Sequence, residues 1–269
     1  MPAPLPDSIW LPALAMLGLA LGSFLSVLVA RVPLLLAEDA HPGHIRLLAR
    51  LSWPPSHCPH CQQRLRLAEL LPLLSWLRQR GRCRHCQQPI AWRYPLLEAL
   101  MALLSVMLGS RYGLTATFAA ALLCCATLLA LAWIDAETFW LPDLLTLPLL
   151  WAGLLFASLA SPWQLTASVW GAAAGYAGLA GLNAGYRAWR GQPGLGGGDA
   201  KLLAALGAWH GGLALPWLLT LAALGGLIWA VCTGPLRARR ALAFGPFLAM
   251  AGIALWLWPL PLWLAWMEY

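Results

Sequence analysis

Two sets of residues in this 269-residue chain have types and spacings that could do chemistry. The first is a double knuckle, Cys58-Pro-His-Cys61 and Cys83-Arg-His-Cys86, with 21 residues between the pairs. Four thiolates so spaced suit a tetrahedral zinc ion, and four sulfur ligands leave no open position, so the metal would be structural. A disulfide pairing is the alternative, and His60 or His85 could replace a sulfur. The second set comes from the acids, of which the chain has only ten. Asp7, Glu38, Asp39 and Glu268 lie in polar termini or loops, and Glu69 lies between the knuckles. Asp143 reads as a helix cap, Glu98 stands within reach of Arg93, and Glu137 falls in the connection from Asp135 to Asp143. Asp135 and Asp199 remain. Asp135 ends a 21-residue uncharged run, and Asp199 ends Gly194-Leu-Gly196-Gly197-Gly198. Both read plainly as boundary residues of apolar helices, but an ionisable group at the edge of an apolar zone is costly and suggests a function. Two such carboxylates brought together share a proton. One then activates a water while the other polarises a carbonyl, the chemistry of an aspartic protease.

The glycine run before Asp199 allows further readings. It lacks both the dinucleotide pattern G-x-G-x-x-G and a phosphate-binding lysine directly after a glycine. A flexible linker is the bland reading. The sharper one is that missing Cβ atoms let an unwound backbone and an extended substrate strand approach Asp199, with Gly194, Gly196, Gly198 and Lys201 forming an active-site loop. No H-E-x-x-H motif is present, which excludes a zincin site. His210 reads as an interfacial residue.

The elements that must position these groups follow from composition. The chain is 61 % apolar and 10 % charged, with a mean hydropathy of +0.69, whereas soluble domains are roughly 25 % charged. Lipid is the expected solvent. Eight apolar runs are legible: Leu11–Val29, Pro95–Ser110, Leu114–Ile134, Leu144–Leu159, Leu165–Tyr186, Leu202–Leu215, Pro216–Thr233 and Phe244–Met267. The expected architecture is all-α and polytopic, with about eight transmembrane helices and a zinc-stapled loop between the first two. Leu202–Leu215 is short enough for a partial span, which leaves seven as the alternative. Expected divisions are a first helix over 1–30, a zinc-binding loop over 31–94 and a membrane peptidase domain over 95–269.

Charge sets the orientation. Placing the Arg31–Arg93 loop in the cytoplasm puts the Arg187–Lys201 and Arg237–Arg240 loops there too. Sixteen of the seventeen Lys and Arg residues then share one side, all but Arg111. Cytoplasmic loops carry such an excess, so both termini are expected outside, and the net charge of +7 argues topology rather than nucleic-acid binding. Trp256, Trp258, Trp263 and Trp266 are expected near the outer interface. Gly171-x3-Gly175 and Gly181-x3-Gly185 read as helix-packing stripes. Cys124, Cys125 and Cys232 read as small packing residues within spans.

The chain resembles the bacterial type IV prepilin peptidases, membrane aspartic proteases of the GxGD kind. The likeness rests on Gly22-Ser-Phe-Leu-Ser26, both knuckles, Leu71-Pro-Leu-Leu-Ser-Trp-Leu77 and Arg80-Gly-Arg-Cys83. It continues through Arg93-Tyr-Pro-Leu-Leu-Glu98, Ile134-Asp135, Leu141-Pro-Asp143 and Gly194-x-Gly196-x-Gly198-Asp199-x-Lys201. Ser26 and Leu70 stand where that family usually carries Asn. The resemblance implies Asp135 and Asp199 as catalytic residues, with Glu69 and Gly81 linked to methyl transfer. It implies prepilin or type II secretion pseudopilin substrates, cut after a glycine that ends a basic leader at the cytoplasmic face of the inner membrane. It also implies N-methylation of the new terminus with S-adenosylmethionine as donor. Two other functional classes stay open on the residues alone: a transporter with Asp135 and Asp199 on an ion path, and an assembly scaffold docking partners through the zinc loop.

Overall fold

The computed structural model describes residues 7–38, 53, 55–191, 194, 196–233 and 242–259. Each of the eight apolar runs gives rise to a helix. They are α1 (Asp7–Glu38), α3 (Arg93–Tyr112), α4 (Ala116–Thr138), α5 (Asp143–Ala160), α6 (Pro162–Arg190), α7 (Gly197–His210), α8 (Leu215–Thr233) and α9 (Gly245–Leu257), with a short α2 (Leu74–Arg78) in the polar loop. No strand occurs among the described residues, only two isolated bridges in that loop. Among the described residues, four segments are long and apolar enough to cross a membrane: Trp10–Ala37, Ala116–Thr138, Asp143–Ala160 and Gly212–Thr233. The loop holding Arg237, Arg239 and Arg240, and the end of the last run with Trp263 and Trp266, lie outside the described residues.

The chain divides into two compact units, Met1–Leu122 and Leu123–Tyr269. In the first, α1 and α3 pack backbone to backbone. A Cβ on Gly22 would stand 2.5 Å from the Cα of Glu98, so no larger residue fits that crossing. The helix extends beyond the run first read as Leu11–Val29, through Pro33 to Glu38. Val29 and Val32 are both buried, and that packed face carries the helix past Arg31.

In the second unit α7 is the central helix. Eleven of its fourteen residues are buried, as befits a helix that is apolar on all sides. Fourteen residues rise only about 21 Å, less than the roughly 30 Å hydrocarbon core. Gly207 meets Gly171 of α6 backbone to backbone, and Gly175 of α6 packs on the Leu203 carbonyl. The Trp209 indole donates to the Leu149 carbonyl of α5 at 2.9 Å. Gly252 of α9 seats against Leu206 of α7 and Leu128 of α4.

Local rules set the ends of α6. Ser161 accepts from the Gln164 amide at 3.2 Å, Pro162 opens the helix, and Gly191 closes it at φ 71°.

Several expectations change. Gly178, Gly181 and Gly185 have open space where a Cβ would be, so only Gly171 and Gly175 of the glycine stripe pack within the fold. Cys124 and Cys125 are fully buried, as expected of packing residues, but Cys232 is exposed. His210 and Trp256 are buried within the fold, their rings 5.4 Å apart and edge-on. Trp256 also packs edge-on against Trp209, drawing both aromatic residues into the contact between α7 and α9.

Candidate active site

Asp135 lies in the last turn of α4, and Asp199 is the third residue of α7. Both are buried, at 5 % and 7 % exposure. Both neighbourhoods converge on Leu141, which lies next to Gly198, the residue before Asp199, and next to Gly245, which meets Asp135, so the fold draws the surroundings of two carboxylates 64 positions apart in sequence to one residue.

Each carboxylate lies beside a helix N-terminus. Asp199 occupies the position from which a capping carboxylate reaches back to the Gly196 amide, and its side chain faces that group. Asp135 stands near the carbonyl end of its own helix, which disfavours a negative charge. The amide of Gly245, first residue of α9, donates to its Oδ2 at 3.1 Å. Leu141, itself buried, fills the space beside both: a Cβ on Gly198 would lie 2.8 Å from the Leu141 Cβ, and one on Gly245 would lie 3.2 Å from its Cδ1.

The glycine run differs from the expected unwound loop. Gly197 and Gly198 already belong to the first turn of α7, with Gly196 as its N-cap. The missing Cβ atoms serve tight packing instead. One on Gly196 would crowd Asp199 Oδ2 at 3.3 Å, and one on Gly194 would enter the Tyr186 ring. The Gly194 amide donates to Asn183 Oδ1 at 3.0 Å, folding the segment back on α6. Leu195 lies outside the described residues. Lys201 points to Asp143, donating to both carboxylate oxygens at 2.7 and 2.6 Å. Asp143 is thus the first residue of α5 rather than its cap, and the pair ties the starts of α5 and α7.

The knuckles bring Cys58, Cys61, Cys83 and Cys86 together, with all four sulfurs within 4.8 Å of one another. Cys58 Sγ lies 3.8 Å from Cys86 Sγ, and Cys61 Sγ lies 4.0 Å from Cys83 Sγ. Tetrahedral thiolates at about 2.3 Å from zinc would stand about 3.8 Å apart, so the cluster fits that ion. The two knuckles are near copies. In each, the first cysteine donates its amide five residues on, Cys58 to Gln63 and Cys83 to Gln88, and a glutamine donates back, Gln62 to Cys58 and Gln87 to Cys83. Both glutamines have φ near +60°. Amides of Cys86 and His85 hold the Cys83 thiol down to about 7, while burial and the neighbouring sulfurs push the Cys86 thiol up to about 11. His60 and His85 are exposed and stand outside the four-sulfur set.

Glu69 and Gly81 each serve the loop's own fold. Glu69 accepts from the Arg66 amide at 2.8 Å. Gly81, at φ 68°, sits under Trp76, where a Cβ would lie 2.9 Å from the indole. Glu98 accepts from the Leu73 amide at 2.8 Å, anchoring the Leu71–Leu77 turn to α3. Ser26 is buried and donates to the Gly22 carbonyl.

Gly245 and Leu141 were missed as site residues. Gly245-Pro246 does read as a helix start, but nothing local connects it with a carboxylate 110 positions earlier.

Two family models match the chain: the bacterial peptidase A24 N-terminal domain over residues 16–112, and the type IV leader peptidase family over residues 122–231. Curated relatives named prepilin leader peptidase/N-methyltransferase match along most of their length. The protein of Dickeya chrysanthemi is 46 % identical over 258 residues, covering 91 % of each chain. That of Burkholderia pseudomallei is 42 % identical over 274 residues, covering 94 % of this chain and 86 % of its own. That of Neisseria gonorrhoeae is 39 % identical over 252 residues, covering 90 % and 88 %. No solved structure matches the chain. With both domains matched and relatives this similar end to end, the chain belongs to the type IV leader peptidase family.

Proposed function

We propose that this enzyme cleaves the leader from prepilins or pseudopilins with the Asp135–Asp199 pair and then N-methylates the new terminus. The observation that carries the peptidase reading is the buried carboxylate pair, each member facing a helix N-terminus. In the reaction, the ionised carboxylate takes a proton from water as the water oxygen bonds to the scissile carbonyl carbon, and the protonated partner gives its proton to the carbonyl oxygen. The intermediate collapses, the C–N bond breaks, and the departing amine receives a proton from the pair. Resemblance to the family supports cleavage after a glycine that follows a short basic leader.

The matched relatives' name supports the second activity. When bound, S-adenosylmethionine would supply an electrophilic methyl group to the terminal nitrogen, with S-adenosylhomocysteine as leaving group and the amine's proton passing to solvent. Glu69 and Gly81 contribute by holding the shape of the loop, since their contacts are internal to it. Zinc on Cys58, Cys61, Cys83 and Cys86 staples that loop and takes no part in either reaction. Gly196 and Gly198 give Asp199 its close backbone surroundings, while Gly194 and Lys201 act at one remove, by folding the segment back on α6 and tying α7 to α5.

Eight membrane crossings, termini in the periplasm and an active site at the cytoplasmic face of the inner membrane complete the reading. The distribution of Lys and Arg supports this orientation. An ion path would spread its polar groups through the bilayer's depth, whereas Asp135 ends one helix and Asp199 begins another. The test is incubation of the purified enzyme with a prepilin. Mass spectrometry should find a shortened product, and one further methyl when S-adenosylmethionine is added; an intact prepilin overturns the proposal.

A further inference from the structure

The start of α9 presents one donor outward, and that donor meets Asp135. The first residues of a helix have amides without intrahelical partners. In α9 the N-cap is Phe244, and the first helical residues are Gly245 and Pro246. Pro246 has no N–H, while the amides of Phe247 and Leu248 both return to the Phe244 carbonyl at 3.1 Å. Of the amides of residues 245, 247 and 248, that of Gly245 is the one directed away from the helix, and it donates to Asp135 Oδ2 at 3.1 Å in a buried setting.

The residue type is as constrained as the bond. A Cβ at 245 would lie 2.6 Å from Asp135 Oδ2 and 3.1 Å from its Cγ, with Leu141 Cδ1 at 3.2 Å closing the neighbouring space. Any side chain at this position would therefore displace the carboxylate. Asp135 needs such a clamp more than Asp199 does. Asp199 lies at the favourable end of its own helix, whereas Asp135 lies at the unfavourable end of α4, where free carbonyls gather.

We propose that Gly245 is a positioning residue for peptide cleavage, its backbone amide fixing the orientation of Asp135 and its missing Cβ keeping the carboxylate in place. This rests on the peptidase reading of Asp135. Gly245 needs no contact with substrate, so its loss should act on turnover rather than on substrate binding.

The decisive variant replaces the amide linkage at Gly245 with an ester by incorporating the matching α-hydroxy acid. This deletes the N–H without adding a side chain. One hydrogen bond to a charged group corresponds to a loss of roughly 10–100-fold in kcat, with KM within about twofold of the parent. Gly245→Ala should lose at least as much. Methyl transfer to an already cleaved pilin, together with unchanged zinc content, reports that each variant is inserted and folded. Should Gly245→Ala fail that control, the ester carries the test alone. An unchanged kcat in the ester variant overturns the proposal, and so does a raised KM at full kcat, which would mark a substrate contact. Asp135→Asn separates the two readings: if it still cleaves, the catalytic assignment itself falls, whereas an inactive Asp135→Asn beside a fully active ester rejects only the role of Gly245.

Discussion

The cysteine loop and the carboxylate pair are both small polar sites in a hydrophobic chain, and they are assembled in opposite ways. Each knuckle is a self-contained turn closed by bonds spanning five residues, and the two turns are near copies. What remains is to bring two preformed pairs of sulfurs to one point, for which a bound zinc would supply the energy. The carboxylate site has no such local unit. Asp135, Leu141, Asp199 and Gly245 come from the end of one helix, a connection and the starts of two more. Helix packing brings them together, with α7 at the centre. A local site should fail by losing its ion; a packed one should fail by losing alignment.

The largest effect that could break this contrast is at the carboxylates. Asp135→Asn or Asp199→Asn should lower prepilin cleavage by a factor of about 10³ or more, since neither amide can exchange the required proton. Zinc content should remain that of the parent. Cleavage by either variant at near-parent rate would remove the pair from the mechanism.

Next comes the ion. Cys58→Ser or Cys83→Ser should reduce bound zinc from about one per chain to a small fraction, because three thiolates bind a structural zinc far less tightly than four. Metal analysis and protease sensitivity of the loop should change together. Cleavage should fall much less than in the aspartate variants. Full zinc occupancy in both variants would refute the four-sulfur assignment.

Packing tests the middle of the range. Gly198→Ala places a Cβ 2.8 Å from that of Leu141, an overpacking of about 1–3 kcal/mol, and cleavage should drop roughly tenfold through movement of the adjacent Asp199. Gly181→Ala on α6 meets open space. It should leave cleavage unchanged and add up to about 1 kcal/mol of helix stability. Thermal unfolding in detergent would compare the two, and equal responses would deny that the site is tightly packed.

The smallest effect belongs to the pair of Lys201 with Asp143, whose side chains are 35 % and 52 % exposed. Solvent screening limits such pairs to about 0–1 kcal/mol. Lys201→Gln should cost little stability and a few-fold in cleavage rate. A loss as large as that of Asp199→Asn would give Lys201 a direct part in catalysis.

The sequence alone determined the features that depend on composition or near neighbours. Eight apolar runs marked eight helices because a backbone cut off from water must satisfy its own polar groups, and a helix does so within one segment. Paired cysteines marked a four-sulfur cluster because each knuckle is made within a few residues. Asp135 and Asp199 stood out because an acid at the edge of an apolar run is costly. Tertiary structure alone decided what each group faces. It put Gly197 and Gly198 inside a helix, turned Asp143 from a cap into the partner of Lys201, and buried His210 and Trp256 against each other. It also placed the Gly245 amide on a carboxylate 110 positions away. Periodicity records which residues avoid water, but not which distant helix end will lie beside them. Only the packing of helices around α7 settles that.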